Sequence, residues 1–144
     1  MKASVRQTNK PEKYDELAIG ESATKVIIAR NIWNDTGIYL VAGQEYRFTS
    51  VGQWIDWYIP SDADGFPSPN AFFWPFEPLR RMPHEQWFTL IGAIDRNPET
   101  QFRIGKERTV IVPATGMLTC FANDVGYAYW NNIGSLDITI TRTS

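Results

Sequence analysis

An antiparallel β-sandwich, or jelly roll, is the fold class this sequence predicts, and three observations lead to it. No amphipathic helical pattern persists for three turns anywhere in the 144 residues. Short runs rich in Val, Ile, Thr, Phe and Tyr recur instead, separated by Gly, Pro, Asn and Asp. The clearest of these runs alternate with period two, so one face is apolar and the other polar, as a strand lying between core and water requires. With no helices to cover a parallel sheet, the strands must pair antiparallel and pack sheet on sheet.

Residues 1–20 are polar, with Pro11, Lys13, Glu16 and Gly20, and read as a flexible or loosely docked N-terminal arm. Residues 21–144 read as a single sandwich domain. Lys25 to Arg30 is a buried strand. Asn34 to Gly37 carries turn residues, and a strand over Ile38 to Ala42 follows. Glu45 to Val51 sets Tyr46 and Phe48 on one face against Glu45, Arg47 and Thr49 on the other. Residues 59–85 then break the rhythm, holding six of the nine prolines together with Phe66, Phe72, Phe73, Trp74 and Phe76. A loop this long is uncommon in a compact domain, and this one is too apolar for a solvated linker, so it is expected to pack back on the body. Gln86 to Ile94 is a mostly apolar strand and Asp95 to Glu99 a charged turn. Gln101 to Ile104 and Thr109 to Val112 flank a turn at Gly105–Lys106–Glu107. Met117 to Ala122 precedes a polar loop, and Ser135 to Thr141 alternates Leu136, Ile138 and Ile140 with Asp137, Thr139 and Thr141.

Composition excludes several function classes. A net charge of −2 argues against a nucleic-acid partner, which needs clustered positive charge. The lone Cys120 rules out an internal disulfide and a multi-cysteine zinc cluster, and the lone His84 rules out most histidine metal sites. No apolar run approaches the length of a membrane span. The charged first residues show no apolar core of a secretory signal, which leaves the localisation open. The aromatic fraction, 14% with six tryptophans, is generous for a core of this size and favours an aromatic-lined binding surface.

The segment Asn123 to Ser135 carries the chemistry. It supplies the carboxylate of Asp124 and the carboxamides of Asn131 and Asn132, with Gly126 and Gly134 to let the backbone turn. These are hard oxygen donors of the kind Ca²⁺ takes, 6–8 at a time, and a main-chain carbonyl such as that of Ala128 adds to the count. A single carboxylate leaves charge unneutralised and coordination positions open, which two vicinal hydroxyls of a sugar can fill. Tyr127, Tyr129, Trp130, Trp54, Trp57 and Tyr58 are candidate rings for stacking on the sugar. The same residue types also make ordinary turns. A glycosidase would need two carboxylates about 5–9.5 Å apart, and no spacing among Asp56, Asp62, Asp64, Glu77, Glu85 and Asp124 argues for such a pair. Cys120, flanked by apolar strand residues, reads as core.

The run Phe121 to Ile140, F-A-N-D-V followed by N-N-x-G-S-L-D-I-T-I, resembles the C-terminal signature of the bacterial PA-I type galactophilic lectins. These are small, calcium-dependent, galactose-binding β-sandwich proteins. Asp124, Asn131 and Asn132 reproduce the family's spacing of an Asp and, seven positions on, paired Asn. Val51-Gly52-Gln53-Trp54 is similar to its Gly-x-Trp segment, and Leu90 to Ala93 and Phe102 to Gly105 are similar to its central strands. The resemblance implies a galactose-binding-domain-like sandwich that binds carbohydrate without catalysis, with calcium held by Asp124, Asn131, Asn132 and the carbonyl of Ala128. Asp56 falls at the place of another carbonyl ligand, where it brings an extra carboxylate. Asp124 and Asn131 would also meet the sugar. His84 and Gln86 match the family's sugar-selecting His and Gln, in a shortened Pro83-His84-Glu85-Gln86 context with His and Pro reversed; Trp57 and Tyr127 complete the expected sugar contacts. The family's assembly through sheet edges makes a homo-oligomer an expectation as well. Two other readings stand beside this one: an interaction or assembly module with a structural calcium and no sugar, and a small glycosidase.

Overall fold

The computed structural model describes residues 15–144; the first fourteen residues of the expected arm lie outside them. Two sheets form a sandwich. One runs in the order β1 (Asp15–Glu16), β3 (Asn34–Leu40), β10 (Gly116–Ala122), β7 (Leu90–Ile94) and β8 (Asn97–Arg103). The other runs β6 (Ile59–Ser61), β5 (Trp54–Asp56), β11 (Asn132–Arg142), β4 (Glu45–Val51) and β9 (Glu107–Ile111), with β2 (Ser22–Ile28) also paired to β11. Every pairing is antiparallel except β1 with β3.

The alternation read from the sequence decides what lies between the sheets. Leu136, Ile138 and Ile140 of β11 and Tyr46 and Phe48 of β4 are buried, and they meet Ile38, Leu40, Leu90, Leu118 and Cys120 of the opposite sheet in one core. Phe48 and Phe102 touch across it, with ring centres 5.7 Å apart. Cys120 is a fully buried thiol whose pKa burial pushes far up, so it packs as a small hydrophobe.

Four local expectations are revised. Asn34 to Gly37 is not a turn but the start of β3. There the Asn34 side chain accepts from the Ile28 N–H and donates to the Cys120 carbonyl, and Gly37 (φ 78) lies where the β3–β10 register shifts. The charged turn at residues 95–99 shrinks to Asp95–Arg96, both with positive φ, which is the geometry of a two-residue hairpin; β8 already begins at Asn97. The strand expected from Gln86 begins only at Leu90. At the chain's start, residues 15–20 join the fold: β1 pairs with β3, Leu17 is buried, and the Gly20 N–H donates to the Arg142 carbonyl at 2.7 Å.

One register positions the site. Residues 46–51 and 54–56 pair along β11, from Tyr46 opposite Arg142 to Asp56 opposite Asn132, with a break at Gly52–Gln53, where Gly52 takes φ 111. The proline-rich segment returns to the body at both ends, through bridges between Phe66 and Trp87 and between Arg80 and Val125. Its middle is a 3-10 helix, Ala71–Leu79, in which Pro75 and Pro78 lack the N–H that an α-helix would use. None of its nine residues is buried, so its middle packs back less fully than expected.

Candidate metal and carbohydrate site

The site grows from the loop between β10 and β11. Asn123 fixes where the loop begins: its side chain is fully buried, accepts from the Met82 N–H, and donates to the carbonyls of Met82, Glu85 and Gln86. Asp124 follows. Its carbonyl accepts from the Arg81 N–H at 3.0 Å and one carboxylate oxygen accepts from the Val125 N–H at 2.7 Å. The chain turns through Ala128, whose N–H donates to the Val125 carbonyl, and a short 3-10 turn, Tyr129–Asn131, delivers Asn131 and then Asn132 at the head of β11. From the other side, the Trp57 N–H donates to the Asn131 carbonyl at 3.1 Å, with Trp57 in the left-handed region (φ 61) just past Asp56.

Three side-chain oxygens converge on this loop buried and without a hydrogen-bond partner among the described residues: Asp124 Oδ2, Asn131 Oδ1 and Asn132 Oδ1. A buried oxygen left unmatched costs about 1–3 kcal/mol, so three such acceptors in one loop call for a partner that donates hydrogen bonds or brings positive charge. Trp54 Nε1 is also unmatched, but as a donor it offers nothing to a cation. The side chains fit a calcium ion by donor chemistry. Asp124 (3% exposed) and Asp56 (8% exposed) bring two carboxylates, and the Asn132 amide nitrogen is engaged with the Ala29 carbonyl, which turns its oxygen free. Among the described residues no three His, Cys, Asp or Glu side chains cluster as a metal site.

Both carboxyls sit above their ordinary range. Burial raises the Asp56 carboxyl to about 6. Burial, then repulsion from Asp56, raises Asp124 to about 7, against the pull of the Val125 N–H, the Asn132 side chain and Arg81. In both cases burial favours the protonated carboxyl over the charged one.

These groups open into one cavity of about 170 Å³. Asp56, Asp124, Asn131 and Ala128 line its oxygen-bearing end, and Trp57 and Tyr127 stand at its wall, both largely exposed. The structure thus brings together Asp56, Trp57, Asp124, Tyr127, Ala128 and Asn131, with Asn132 directly behind them in register with Asp56. Of the other rings, Trp54 and Tyr129 are buried and offer no stacking face, Trp130 is exposed, and Tyr58 packs edge-on against Trp57 at 4.7 Å. His84 and Gln86 are not brought here. They line a second hollow with Asp64, Glu85, Thr89 and Arg103, because the clamp of Asn123 on the backbone of residues 82–86 holds that stretch to the side. Phe72, Phe73 and Phe76 of the proline-rich segment, with Trp87 just past it, form the rest of the aromatic lining. Its only signal was the density of rings between residues 66 and 87.

The fold defines a class, a two-sheet and mainly antiparallel β-sandwich. The particular likeness is to the N-terminal domain of EclA, described as a PllA-like lectin, with a TM-score of 0.61 and 18% sequence identity over 83% of this chain and 94% of that one. At that identity the likeness is one of fold. No family model matches the chain, and no curated protein matches it.

Proposed function

We propose that this protein binds carbohydrate through a calcium ion, without catalysis, and that the sugar is galactose or a related monosaccharide with vicinal hydroxyls. The observation that carries the reading is the trio of buried, unmatched oxygens on Asp124, Asn131 and Asn132, in a loop whose Asp124 and Asn131 line a ring-rich cavity. When bound, the ion supplies a positive centre that sugar hydroxyls can ligate. Asp124, Asn131 and Asn132 would hold it by side-chain oxygens, Ala128 by its carbonyl, and Asp56 would add the second negative charge. Asp124 and Asn131 also accept hydrogen bonds from the bound hydroxyls, and Trp57 or Tyr127 offers an aromatic face to the sugar's C–H surface. His84 and Gln86 have no part in this reading.

A glycan array with calcium and with EDTA tests it. Binding is expected only in calcium and is expected to be lost in Asp124→Ala. A calcium-dependent rise in melting temperature with no glycan signal would leave a structural ion in an assembly module. Turnover of an aryl glycoside, lost on Asp56→Asn, would replace binding by catalysis.

A further inference from the structure

We propose that the cavity favours a 6-deoxy sugar over galactose itself: a hexose that ligates the ion through vicinal hydroxyls and turns a methyl group, not a hydroxymethyl, to the rings of the proline-rich segment. This deepens the calcium–carbohydrate reading above and rests on it.

The polar groups of the cavity stand at one end. Asp56 and Asp124 carry its carboxylates and Asn131 its carboxamide, and in that reading all three are committed to the ion and to the hydroxyls that ligate it. Beyond them lie Phe72, Phe73, Phe76, Ile59 and Val125, whose side chains neither donate nor accept. Trp87 spends its Nε1–H on Ser68 Oγ at 2.9 Å. The polar side chains around this wall are spent as well. Arg80 donates to the carbonyls of Glu77 at 3.2 Å and Pro83 at 2.8 Å, and lies over the Trp87 ring at 4.9 Å. Arg81 donates to the Ile32 carbonyl and the Tyr129 hydroxyl. Asn123 is taken up by the backbone of residues 82–86, and that clamp sends His84 and Gln86 to the second hollow. The polar tips left in the lining are the Trp57 N–H and the Tyr127 O–H, on side chains 57% and 71% exposed that water already serves. A hydroxymethyl enclosed by the phenylalanine rings gives up its bonds to water and gains none, whereas a methyl in the same place gains contact and loses nothing. An apolar pocket rejects an added hydroxyl by up to about a hundredfold, so the outcome is a preference and not an exclusion.

Calorimetry on the whole chain in calcium, with methyl β-galactoside and methyl 6-deoxy-β-galactoside, tests the proposal, because the two ligands differ by a single oxygen. The 6-deoxy glycoside is expected to bind on the order of tenfold more tightly. Phe72→Gln, at an exposed position, and Phe76→Gln each set a hydrogen-bonding group in the wall. At least one of them is expected to reduce the preference to about threefold or less while the melting temperature holds. Equal affinity for the two glycosides overturns the proposal and leaves the carbohydrate reading standing. So does a preference for the galactoside, above all one lost in Tyr127→Phe, which would give the extra hydroxyl a partner. A 6-deoxy preference untouched by both glutamine variants overturns the part given to the rings, and the proposal with it. Binding of neither glycoside overturns the reading of the site as one for galactose-like sugars, and this inference falls with that reading.

Discussion

Asp56 and Asp124 sit side by side where water cannot screen them, and each is held above the ordinary carboxylate range, at about 6 and about 7. The consequence for stability has a definite sign. Between about pH 4 and pH 7 the folded chain keeps protons that the unfolded chain has released, so without metal it becomes less stable as pH rises through that window. Calcium held as proposed would need both groups ionised, so with that ion bound the dependence would reverse and stability would fall on acidification. Thermal melts should therefore show a higher midpoint at pH 5 than at pH 8 in EDTA, by on the order of 5 °C, and the opposite order in calcium. Asp124→Asn should raise the midpoint in EDTA at pH 8 and abolish the shift produced by calcium. At this scale the sequence was readable where a motif is local. Asp124, Asn131 and Asn132 lie within nine residues, and their spacing alone placed them in one loop. His84 was not readable, because its position depends on the path of a 27-residue insertion (residues 59–85) and on a clamp from Asn123, far along the chain.

Among the elements, the insertion and the oxygen-bearing loop are built as one unit. The Arg81 side chain donates to the Tyr129 hydroxyl at 2.8 Å and to the Ile32 carbonyl, and it lies over the rings of Trp33, Phe121 and Tyr129. Its own N–H holds the Asp124 carbonyl. Arg81→Ala should cost about 2 kcal/mol in urea unfolding and weaken calcium binding, measured by titration calorimetry, because Tyr129 directly precedes Trp130 and Asn131 in the short turn that feeds the site. Asn123→Ala, which leaves three partly buried carbonyls and one N–H without their side-chain partner, should cost about 3 kcal/mol. The longer strands were legible because seven residues suffice to show alternation. β5 and β6, with three residues each, are too short to show a period, and their place is set by pairing with the head of β11. The 3-10 helix was illegible for a related reason: two prolines in nine residues obscure any helical period.

Across the whole molecule, stability comes from two sheets that share one core, and Phe48 sits at its centre against Phe102 of the other sheet. Phe48→Ala should cost about 3–5 kcal/mol, read from the urea midpoint with the transition remaining single. The fold class was readable because period-two patterning reports which face is buried, and that is enough to demand two layers. The order of strands within each layer was not, since it depends on pairings between distant residues. The longest strand, β11, joins the two ends of the molecule. It begins at Asn132 in the site and finishes at Arg142, which accepts from Gly20 and donates to Leu17. Ten residue steps of strand set those ends about 33 Å apart. A tether attached beside Arg142 would therefore hold the molecule by the pole remote from the cavity, so copies fixed to a support in that way would display their openings outward, free to be approached from solution.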